Sequence, residues 1–588
     1  MRHPALPPVE RARRHRTDRR RRGRAAAVVL IAGVVNLLSA AGPPLHRRLH
    51  LHVLVAVVPL VVSETASTLV ALAGIALLGL ARGIRRGQRA AWAIACILLA
   101  TTAILHLVER VHVLSTLIAL SVLWLLVATR DAFRTGVDRP SRRAGLLALC
   151  VGALSATVAA TVAVEVTMRV DRDGPAPPLA RTAAAFAERL VGLQSTALPH
   201  GVSPAIGRAL MGVGITLLVL AVGLAFRPVV DRRRAASAPS RQRARGVVAR
   251  YGAGTLDYFA LRHDKQHFFH GDTLVTYAVH HGVCLVSPDP IGPESGRLEA
   301  WAAFRAFADD RGWKVAALGT GEGWLATYAG AGMRHCYLGD EAIVAVQEFQ
   351  LGGGRHKSLR QAVNRIARHG YTATFHDPST LDAALVTQLE TLAAEGRRGS
   401  VERGFSMTLG RLCDPDDDGL LLAVARDRAG APVAFCQFVP APGIGGYSLD
   451  LMRRGGGEHP NGLVDFLVVA TIEHLRTRDM TGLALNFAAM RALVAGDGGR
   501  LPVRALRTVL VRLSRSMQIE SLWRFTAKYD PVWAPRHLVF DRLGDLPAIG
   551  LAVARAESFV ELPLLGRLVA WQPAARLAAA RLRLLRPS

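Results

Sequence analysis

Long apolar runs occupy the first 226 residues of this 588-residue chain, and none follows them. They lie near residues 25–42, 57–81, 89–108, 112–129, 144–165 and 207–226, and each approaches the roughly 20 residues that a bilayer-spanning helix needs. The first and last contain the uncharged stretches AAAVVLIAGVVNLLSAAG and LMGVGITLLVLAVGLAF. The pattern predicts a membrane α-helical bundle of about six helices over residues 25–226.

Charge and composition narrow the class of protein. Lys and Arg total 73 and Asp and Glu total 45, a formal net charge of +28, while 51% of the residues are hydrophobic. A disordered basic protein would be poor in apolar residues, and an ordinary soluble enzyme is seldom both so apolar and so basic. The six cysteines form no CxxC pair, which argues against a zinc ribbon or a disulfide framework. A membrane protein with an anionic partner fits this composition.

The basic residues predict the orientation of the chain. The head, residues 1–24, is strongly basic and is therefore expected in the cytoplasm, with a longer outside loop at 168–206. An even number of spans returns the chain to the cytoplasm. There an Arg-rich linker (227–246) leads to an α/β domain (247–560) and a basic tail (561–588). The predicted localisation is the plasma membrane, multi-pass, with the α/β domain cytoplasmic.

Two stretches of the second half share one order of elements. In the first, TLVTYAV, GVCLVSP and KVAALGT are predicted strands, with helices near 296–311 and 322–331. In the second, the strands are LLLAVARD, APVAFCQFVP, GGYSLDLM and GLALNFA, and the Gly-rich RRGGGEHPNG leads into a helix near 461–478. Strand, Gly-rich loop, helix and strand form the central unit of the acetyltransferase-like (GNAT) fold. The duplication predicts a tandem GNAT-like domain whose units are joined by a helix near 355–369.

That joining helix, HKSLRQAVNRIARHG, has a basic face at 100° per residue. Leu359, Val363 and Ile366 fall on the opposite, apolar face, and Gly370 is expected just beyond the end of the helix. No Glu alternates with the basic residues, and a Gly-rich turn precedes them. The face suits an RNA backbone or anionic lipid headgroups, and the alternative is a solvated charged surface. Its members are Lys357, Arg360, Gln361, Asn364 and Arg368.

Several separated motifs resemble, in the same order, the C-terminal domain of one family. These are the aminoacyl-phosphatidylglycerol synthases, also called multiple peptide resistance factor proteins or phosphatidylglycerol lysyltransferases. The resemblance covers roughly residues 247–560, and membrane spans followed by a cytoplasmic catalytic domain match the family's architecture. The motifs are HKSLRQAVNRIARHGY, GFSMTLGRL, YSLDLMRR, GLVDFLVVATIEHLRTRDMTGLALNFAAM and SLWRFTAKYDPVWAPRHLVF.

The resemblance implies that an aminoacyl group, lysyl or alanyl, moves from charged tRNA to phosphatidylglycerol. The product lowers the negative charge of the membrane and gives resistance to cationic antimicrobial peptides. Aminoacyl-tRNA is then the co-substrate, and phosphatidylglycerol and an anionic membrane are the partners. No further cofactor and no metal are expected, and a homo-oligomer is left open. We find no synthetase-like segment after residue 560, so the charged tRNA is expected from elsewhere.

Mapped by motif, the resemblance implies catalytic roles for two residues of DLMRR. Asp450 would read the aminoacyl ammonium or activate the hydroxyl, and Arg453 would hold a carbonyl or a phosphate. Both are expected at the end of their strand, facing the Gly-rich loop, and the alternative is a structural ion pair of Asp450 with Arg453 or Arg454. The predicted substrate-binding residues are Lys357, Arg360, Asn364 and Arg365 for phosphate, Phe405 and Ser406 for the pocket, and Arg524 and Lys528 for phosphate or carbonyl groups.

Two other functions compete with this one. The first is a tRNA-dependent aminoacyltransferase of the peptidoglycan type, and the second is a lipid transporter or flippase with a regulatory soluble domain. Lipid extracts distinguish the three. A new ninhydrin-positive phospholipid supports the favoured function, a changed cross-bridge peptide supports the first alternative, and altered leaflet distribution without new lipid supports the second.

Overall fold

The computed structural model describes residues 8–40, 64–108, 113–133, 139–171, 179–190, 204–225, 236–397, 404–489 and 519–557. Several predictions fall partly or wholly outside these described residues. They concern the start of the basic head, residues 57–63 of the second apolar run, residues 227–235 of the linker and the basic tail. The chain divides into two compact units, one of residues 1–232 with 301–314 and the other of residues 233–300 with 315–588.

The first unit is built from helices that follow the apolar runs. One further helix, α6, lies within residues 168–206, which the sequence predicts as a loop. It forms because Ala185, Phe186 and Leu190 share one buried face. The helices are α1 (Pro8–Ala40), α2 (Glu64–Arg85), α3 (Arg89–Val108), α4 (Val113–Ala128), α5 (Arg139–Asp171), α6 (Leu179–Leu190) and α7 (Pro204–Ala225).

Helices α1 and α2 approach each other closely at a pair of glycines. A Cβ atom added at Gly33 would come within 2.9 Å of the Gly74 carbonyl oxygen, and one at Gly74 within 2.8 Å of the Gly33 oxygen. The two glycines therefore allow the backbones to touch, as small residues do where helices pack closely. Val29 and Leu77 are fully buried beside this contact.

Among the described residues, one helical segment is long and apolar enough to cross a membrane, Gly145–Val162 within α5. Shorter apolar segments are Arg89–Ala103, Thr116–Ala128 and Leu210–Val222. Helices therefore lie at the apolar runs, with α1 beginning already in the basic head, whereas their crossing of a bilayer stays a prediction.

The second unit contains one mixed sheet of eleven strands in the order β1-β2-β3-β4-β11-β5-β10-β9-β8-β7-β6. An α/β domain is therefore confirmed. The strands are β1 (Gln266–His270), β2 (Thr273–His280), β3 (Val283–Val286), β4 (Lys314–Thr320), β5 (Arg334–Ala345), β6 (Thr372–His376), β7 (Leu421–Arg426), β8 (Pro432–Ala441), β9 (Gly446–Arg454), β10 (Gly482–Ala489) and β11 (Val532–Phe540).

The helices of residues 236–557 include the joining helix, which runs from Lys357 to Arg368, as predicted. Half of the predicted linker is helical too, because Ala244, Val247 and Val248 of α8 pack into a buried cluster with Phe259. The helices are α8 (Ala238–Tyr251), α9 (Arg297–Asp310), α10 (Glu322–Gly330), α11 (Lys357–Arg368), α12 (Ala383–Arg397), α13 (Leu463–Arg476), α14 (Ile519–Ala527) and α15 (Leu546–Ala556).

Strands β9 and β10 form a parallel pair at the centre of the second half of the sheet. Their pairing joins residues 446–448 to residues 482–484, while the other edge of β10 pairs with β5 from Gly482 to Ala489. The two strands therefore pair over only part of their length. The remainder of β9 contains residues 449–454, which include both predicted catalytic residues.

Candidate active site

Asp450 lies in the middle of β9 rather than at its end. In the β8–β9 ladder Gln437 pairs with Leu451 and Phe438 pairs with Leu449, so Asp450 is the extra residue of a β-bulge. A bulge redirects a side chain and interrupts the ladder, and such bulges are common beside active sites. The local geometry therefore singles out the residue that the family resemblance selects.

The partners of the Asp450 carboxylate are neutral groups. The Leu409 backbone N–H donates to Oδ1 at 2.8 Å, and the Gln437 side-chain amide donates to Oδ2 at 2.7 Å. The same Gln437 amide donates to the Arg411 carbonyl oxygen at 3.1 Å, which fixes its orientation. Asp450 is 3% exposed. Within the part of the chain that the structure describes, the carboxylate is thus held in place without a direct hydrogen bond from a cation.

Burial raises the pKa of Asp450 to about 7. The hydrogen bonds from Leu409 and Gln437 and the charge of Arg411 oppose this increase, while the charge of Asp417 adds to it. Arg411 itself is ion-paired with Asp417, its Nε lying 2.6 Å from Oδ2. A carboxyl group whose pKa lies near neutrality can exchange a proton with a substrate under cellular conditions.

Arg453 does not join Asp450, so the predicted catalytic pair is not brought together. Arg453 donates from Nη1 to the neighbouring Met452 carbonyl oxygen at 2.7 Å, and its stem lies against Gly396 of α12. The prediction that Asp450 faces the Gly-rich loop after β9 is wrong, because its carboxylate contacts the loop that contains Leu409 instead. The sequence reasoning erred because it placed Asp450 at the strand end, where a bulge could not be foreseen.

The two predicted pocket residues lie on the loop that contacts Asp450. Phe405 and Ser406 are 1% and 3% exposed and belong to residues 404–411, here called the clamp loop, which also contains Leu409. Gly404 has φ +107, a conformation that glycine adopts without strain, and this allows the loop to turn into its path. The structure therefore brings Asp450, Phe405 and Ser406 into one region.

The amphipathic character predicted for α11 is confirmed. Leu359 and Ile366 are buried, Val363 is half-buried, and Lys357, Asn364 and Arg365 are exposed. Gly370 follows the helix with φ +77, as expected.

Two of the predicted phosphate contacts on α11 hold neighbouring loops. Arg360 donates to the carbonyl oxygens of Leu351 at 3.0 Å and Gly353 at 2.9 Å, closing the Gly-rich turn before the helix. Arg365 donates to the Asn461 carbonyl oxygen at 3.0 Å, in the Gly-rich loop before α13.

Lys528 contacts a carboxylate of the protein. Its Nζ lies 3.1 Å and 3.0 Å from the two oxygens of Asp465, which also accepts a hydrogen bond from the Tyr529 hydroxyl at 2.8 Å. Asp465 is in the first turn of α13, so Lys528 links that turn to the end of α14. Arg524, the other candidate of this motif, is exposed on α14.

Sequence reasoning missed Gln437, Arg411 and Glu557 as parts of this region. Gln437 gave a signal, because an amide inside the apolar strand APVAFCQFVP is expected to need a buried partner. Arg411 lies within the quoted motif GFSMTLGRL and pairs with nearby Asp417, whereas Glu557 gave no signal, since its contacts are about 150 residues away in the chain. Within the described ranges, no group of three or more His, Cys, Asp or Glu side chains is placed to hold a metal ion.

Comparisons with known proteins agree on one family. The family described as "Phosphatidylglycerol lysyltransferase, C-terminal" matches residues 245–540. The lysylphosphatidylglycerol biosynthesis bifunctional protein LysX of Rhodococcus opacus (strain B4) is 34% identical over 509 residues, covering 83% of this chain and 44% of the relative. LysX of Mycobacterium avium (strain 104) is 38% identical over 326 residues, covering 54% of this chain and 27% of the relative.

This chain therefore spans less than half the length of these curated relatives. Among solved structures, "The structure of L-PGS from Bacillus licheniformis" matches with 25% identity and a TM-score of 0.49, covering 54% of this chain and 97% of that chain.

Proposed function

Because the chain belongs to the phosphatidylglycerol lysyltransferase family, we propose that it transfers a lysyl group from charged tRNA to phosphatidylglycerol. The observation that carries the proposal is the family match over residues 245–540, which contains Asp450, its bulge and its partners. The relatives' names refer to lysylphosphatidylglycerol, which favours lysyl over alanyl.

Asp450 acts as the general base in this proposal. The glycerol hydroxyl of the lipid attacks the ester carbonyl carbon of the aminoacyl-tRNA, and its proton passes to Asp450. The tetrahedral intermediate then breaks its bond to the ribose oxygen of tRNA, and that oxygen takes the proton from Asp450. The products are the aminoacylated lipid and free tRNA, so the reaction needs no further cofactor. A pKa of about 7 suits this role, because a base works best when its pKa is close to the working pH.

The aminoacyl ester is already activated, so much of the remaining catalysis is positioning. Each Asp450 oxygen accepts one hydrogen bond from the described residues, which leaves a second lone pair for the substrate hydroxyl. The exposed cationic residues of α11 support binding of the tRNA backbone, because lysine and arginine neutralise phosphates. Arg365 also contacts the Gly-rich loop before α13, which connects this face to the β9–β10 region.

The helices of the first unit would bring the enzyme to its lipid. In the α5 segment Gly145–Val162, large apolar side chains are exposed, as expected of a helix surrounded by lipid. They are Leu146, Leu147, Val151, Leu154, Val158 and Val162. We place the protein in the plasma membrane as a multi-pass protein with its catalytic domain cytoplasmic. Its product carries less negative charge than phosphatidylglycerol, which would weaken the binding of cationic antimicrobial peptides.

The sheet supports a tandem acetyltransferase-like architecture as part of the same proposal. Both halves contain antiparallel strands that lead into a helix and a further central strand, and β9 and β10 separate beyond a short parallel pairing. In the first half, β11 lies between β4 and β5. It therefore fills the position equivalent to that at which β9 and β10 separate in the second half. We therefore assign catalysis to the second half.

The test uses the full chain in liposomes that contain phosphatidylglycerol. Lysyl-tRNA charged with radioactive lysine is added, and labelled lipid is separated by chromatography and identified by mass spectrometry. We expect labelled lysylphosphatidylglycerol with the natural chain and with the exposed-surface control Glu299→Gln, and little with Asp450→Asn. Absence of labelled lipid with folded protein, or equal labelling when phosphatidylethanolamine replaces phosphatidylglycerol, would contradict the proposal. Alanyl-tRNA in a parallel reaction tests the choice of amino acid.

A further inference from the structure

The clamp loop is held at its start by a carboxylate from the far end of the described chain. Glu557 accepts hydrogen bonds from the backbone N–H groups of Phe405 at 2.8 Å and Ser406 at 3.2 Å, and from the Ser406 hydroxyl at 2.5 Å. Three donors converging on one carboxylate form a strong, charge-assisted contact. It joins segments that are about 150 residues apart in sequence.

The loop is held at its other end by Asp450. Leu409 donates its backbone N–H to that carboxylate, only three residues beyond Ser406. Between the two carboxylates, Arg262 donates to the carbonyl oxygens of Gly404 at 2.8 Å and Thr408 at 3.0 Å. The backbone between Glu557 and Asp450 is therefore short and held along its length, so displacement of its start would displace the Leu409 N–H.

A buried lysine adds an electrostatic reason for Glu557 to stay in place. Lys265 is fully buried, its Nζ lies 4.7 Å from the centroid of the Phe405 ring, and it has no hydrogen-bond partner among the described residues. His280 packs edge-on against the same ring, with centroids 6.4 Å apart. Glu557 is one of the anions whose charge acts on Lys265. Removing Glu557 would thus remove an anion that acts on Lys265 beside the Phe405 ring, in addition to the backbone contact.

We propose that Glu557 is a positioning residue, which holds the clamp loop so that the Leu409 N–H stays on Asp450 and keeps this base ionised in the working pH range. The inference rests on the proposed function, in which Asp450 accepts the proton of the lipid hydroxyl. Glu557 touches no reacting atom in this scheme and acts through the loop alone.

The direction of the pH effect separates this mechanism from a simple charge effect. The hydrogen bond from Leu409 stabilises the ionised form of Asp450, so losing it raises the pKa of Asp450. Removing the negative charge of Glu557 would, by itself, lower that pKa. Among the described residues, the other charges that act on Asp450 are those of Arg411 and Asp417, and Lys265, near Glu557, is also acted on by Arg262 and Asp264. None of these changes in the substitutions used below.

The first experiment measures lysyl transfer to phosphatidylglycerol liposomes between pH 5.5 and 8.5 for the full chain, Glu557→Ala, Glu557→Gln and the surface control Glu299→Gln. We expect Glu557→Ala to lower kcat by roughly tenfold and to move the acid limb of the pH profile upward by about half a pH unit or more. KM for lysyl-tRNA should change little. Glu557→Gln keeps one acceptor oxygen, so its kcat and its acid limb should lie between those of the natural chain and those of Glu557→Ala. An acid limb that stays in place or moves downward, in protein that melts normally, would overturn the proposal.

The second experiment is a double-mutant cycle between positions 557 and 450. If Glu557 acts through Asp450, Glu557→Ala should cause less than a twofold further loss of the residual rate in Asp450→Asn. Independent losses that multiply would reject the coupling while leaving the proposed function intact. A full rate in Asp450→Asn would instead reject the assigned base. Should Glu557→Ala fail to fold, Ser406→Ala removes one donor and should move the acid limb in the same direction by less, and an unmoved limb would then overturn the proposal.

Discussion

Two buried carboxylates of the same sheet are held in opposite ways. Glu341 on β5 accepts from the guanidinium of Arg536 on the adjacent β11, through Nε at 3.0 Å and through Nη2, and from the Thr255 hydroxyl at 2.8 Å. Asp450 on β9 accepts hydrogen bonds from two neutral amides of the described residues, Leu409 and Gln437. A buried carboxylate paired with a cation stays charged, whereas one held by neutral donors in a desolvated site is close to the point of taking up a proton.

Asp289 supports this interpretation from the first half of the sheet. It accepts from the Gly321 N–H at 2.9 Å and the Tyr328 hydroxyl at 2.9 Å, both neutral donors, and burial raises its pKa to about 6. Asp289 connects the start of α10 to the preceding loop, because Gly321, from which it accepts a hydrogen bond, immediately precedes that helix. Asp289 thus shares the environment of Asp450 but lies outside the candidate site, and it provides a matched control.

The largest effect should come from Asp450→Asn. Loss of the general base should reduce lysyl transfer by roughly 10²–10⁴-fold. At pH 4, where the natural Asp450 side chain is protonated and neutral like an amide, the free energy of unfolding should change by only about 1 kcal/mol, because the amide keeps the shape but turns a donor group towards a donor of the protein. Asp289→Asn is the matched control and should lower stability similarly while its folded fraction turns over normally. Transfer assays and melting curves on both variants test this difference. Equal losses of turnover would show that Asp450 and Asp289 do not differ in their effect on catalysis.

The same comparison explains which parts of the fold the sequence could predict. Apolar, β-branched stretches such as KVAALGT predicted β4 correctly, and the 3.6-residue period predicted α11. Strands β5 and β11 were missed because charges and a proline interrupt their patterns, Asp340 and Glu341 in one and Pro535 and Arg536 in the other. Those charges are buried only because the two strands meet, although their contacting residues are 195 positions apart.

The candidate site shows the same limit. Asp450 could be selected from its motif. The structure places Phe405 and Ser406 on the loop whose Leu409 contacts Asp450, and their role in the pocket stays a prediction. The neutral partners of Asp450 could not be predicted, because Leu409 is 41 residues away and the bulge that directs the carboxylate is a property of pairing between strands. Burial, rather than any adjacent charge in the sequence, raises its pKa.

Breaking the ion pair between Glu341 and Arg536 should affect stability more than catalysis. Arg536→Met leaves Glu341 buried without its cation and should lower the free energy of unfolding by about 3–5 kcal/mol. The double variant Arg536→Met, Glu341→Gln should recover part of the loss, because no unpaired charge then remains. Chemical or thermal unfolding of the full chain in detergent measures both. Equal stability of Arg536→Met and the natural protein would mean that the pair is not what holds β11 to β5.

The neutral surroundings of Asp450 should also appear in the pH dependence of stability. Its pKa is about 7 in the folded protein against 3.8 for an unperturbed aspartate, so between these values the folded state binds a proton that the unfolded chain has released. Its stabilising contribution is therefore complete below pH 4 and decreases as pH rises towards 7, with a slope of at most about 1.4 kcal/mol per pH unit. The side-chain amide of Asp450→Asn cannot titrate. The stability of this variant relative to the natural protein should therefore increase as pH rises from 4 to 7. Melting temperatures of both proteins from pH 4 to pH 8 test the sign, and a constant difference would contradict it.

The smallest expected effect concerns the exposed face of α11. Substituting a solvated side chain there should change the free energy far less than substituting a buried carboxylate. Lys357 is exposed at the first position of the helix, where an ammonium can reach a phosphate without desolvation of a protein partner. Lys357→Gln should reduce the slope of log affinity for tRNA against log salt by about 0.7 to 0.9, the contribution of one neutralised phosphate. Lys357→Arg should keep the slope, and Arg334→Gln, an exposed cation at the start of β5, is the matched control for loss of charge elsewhere. Filter binding at several salt concentrations measures all four proteins. If Lys357→Gln and Arg334→Gln changed the slope equally, tRNA binding would follow overall charge rather than this face.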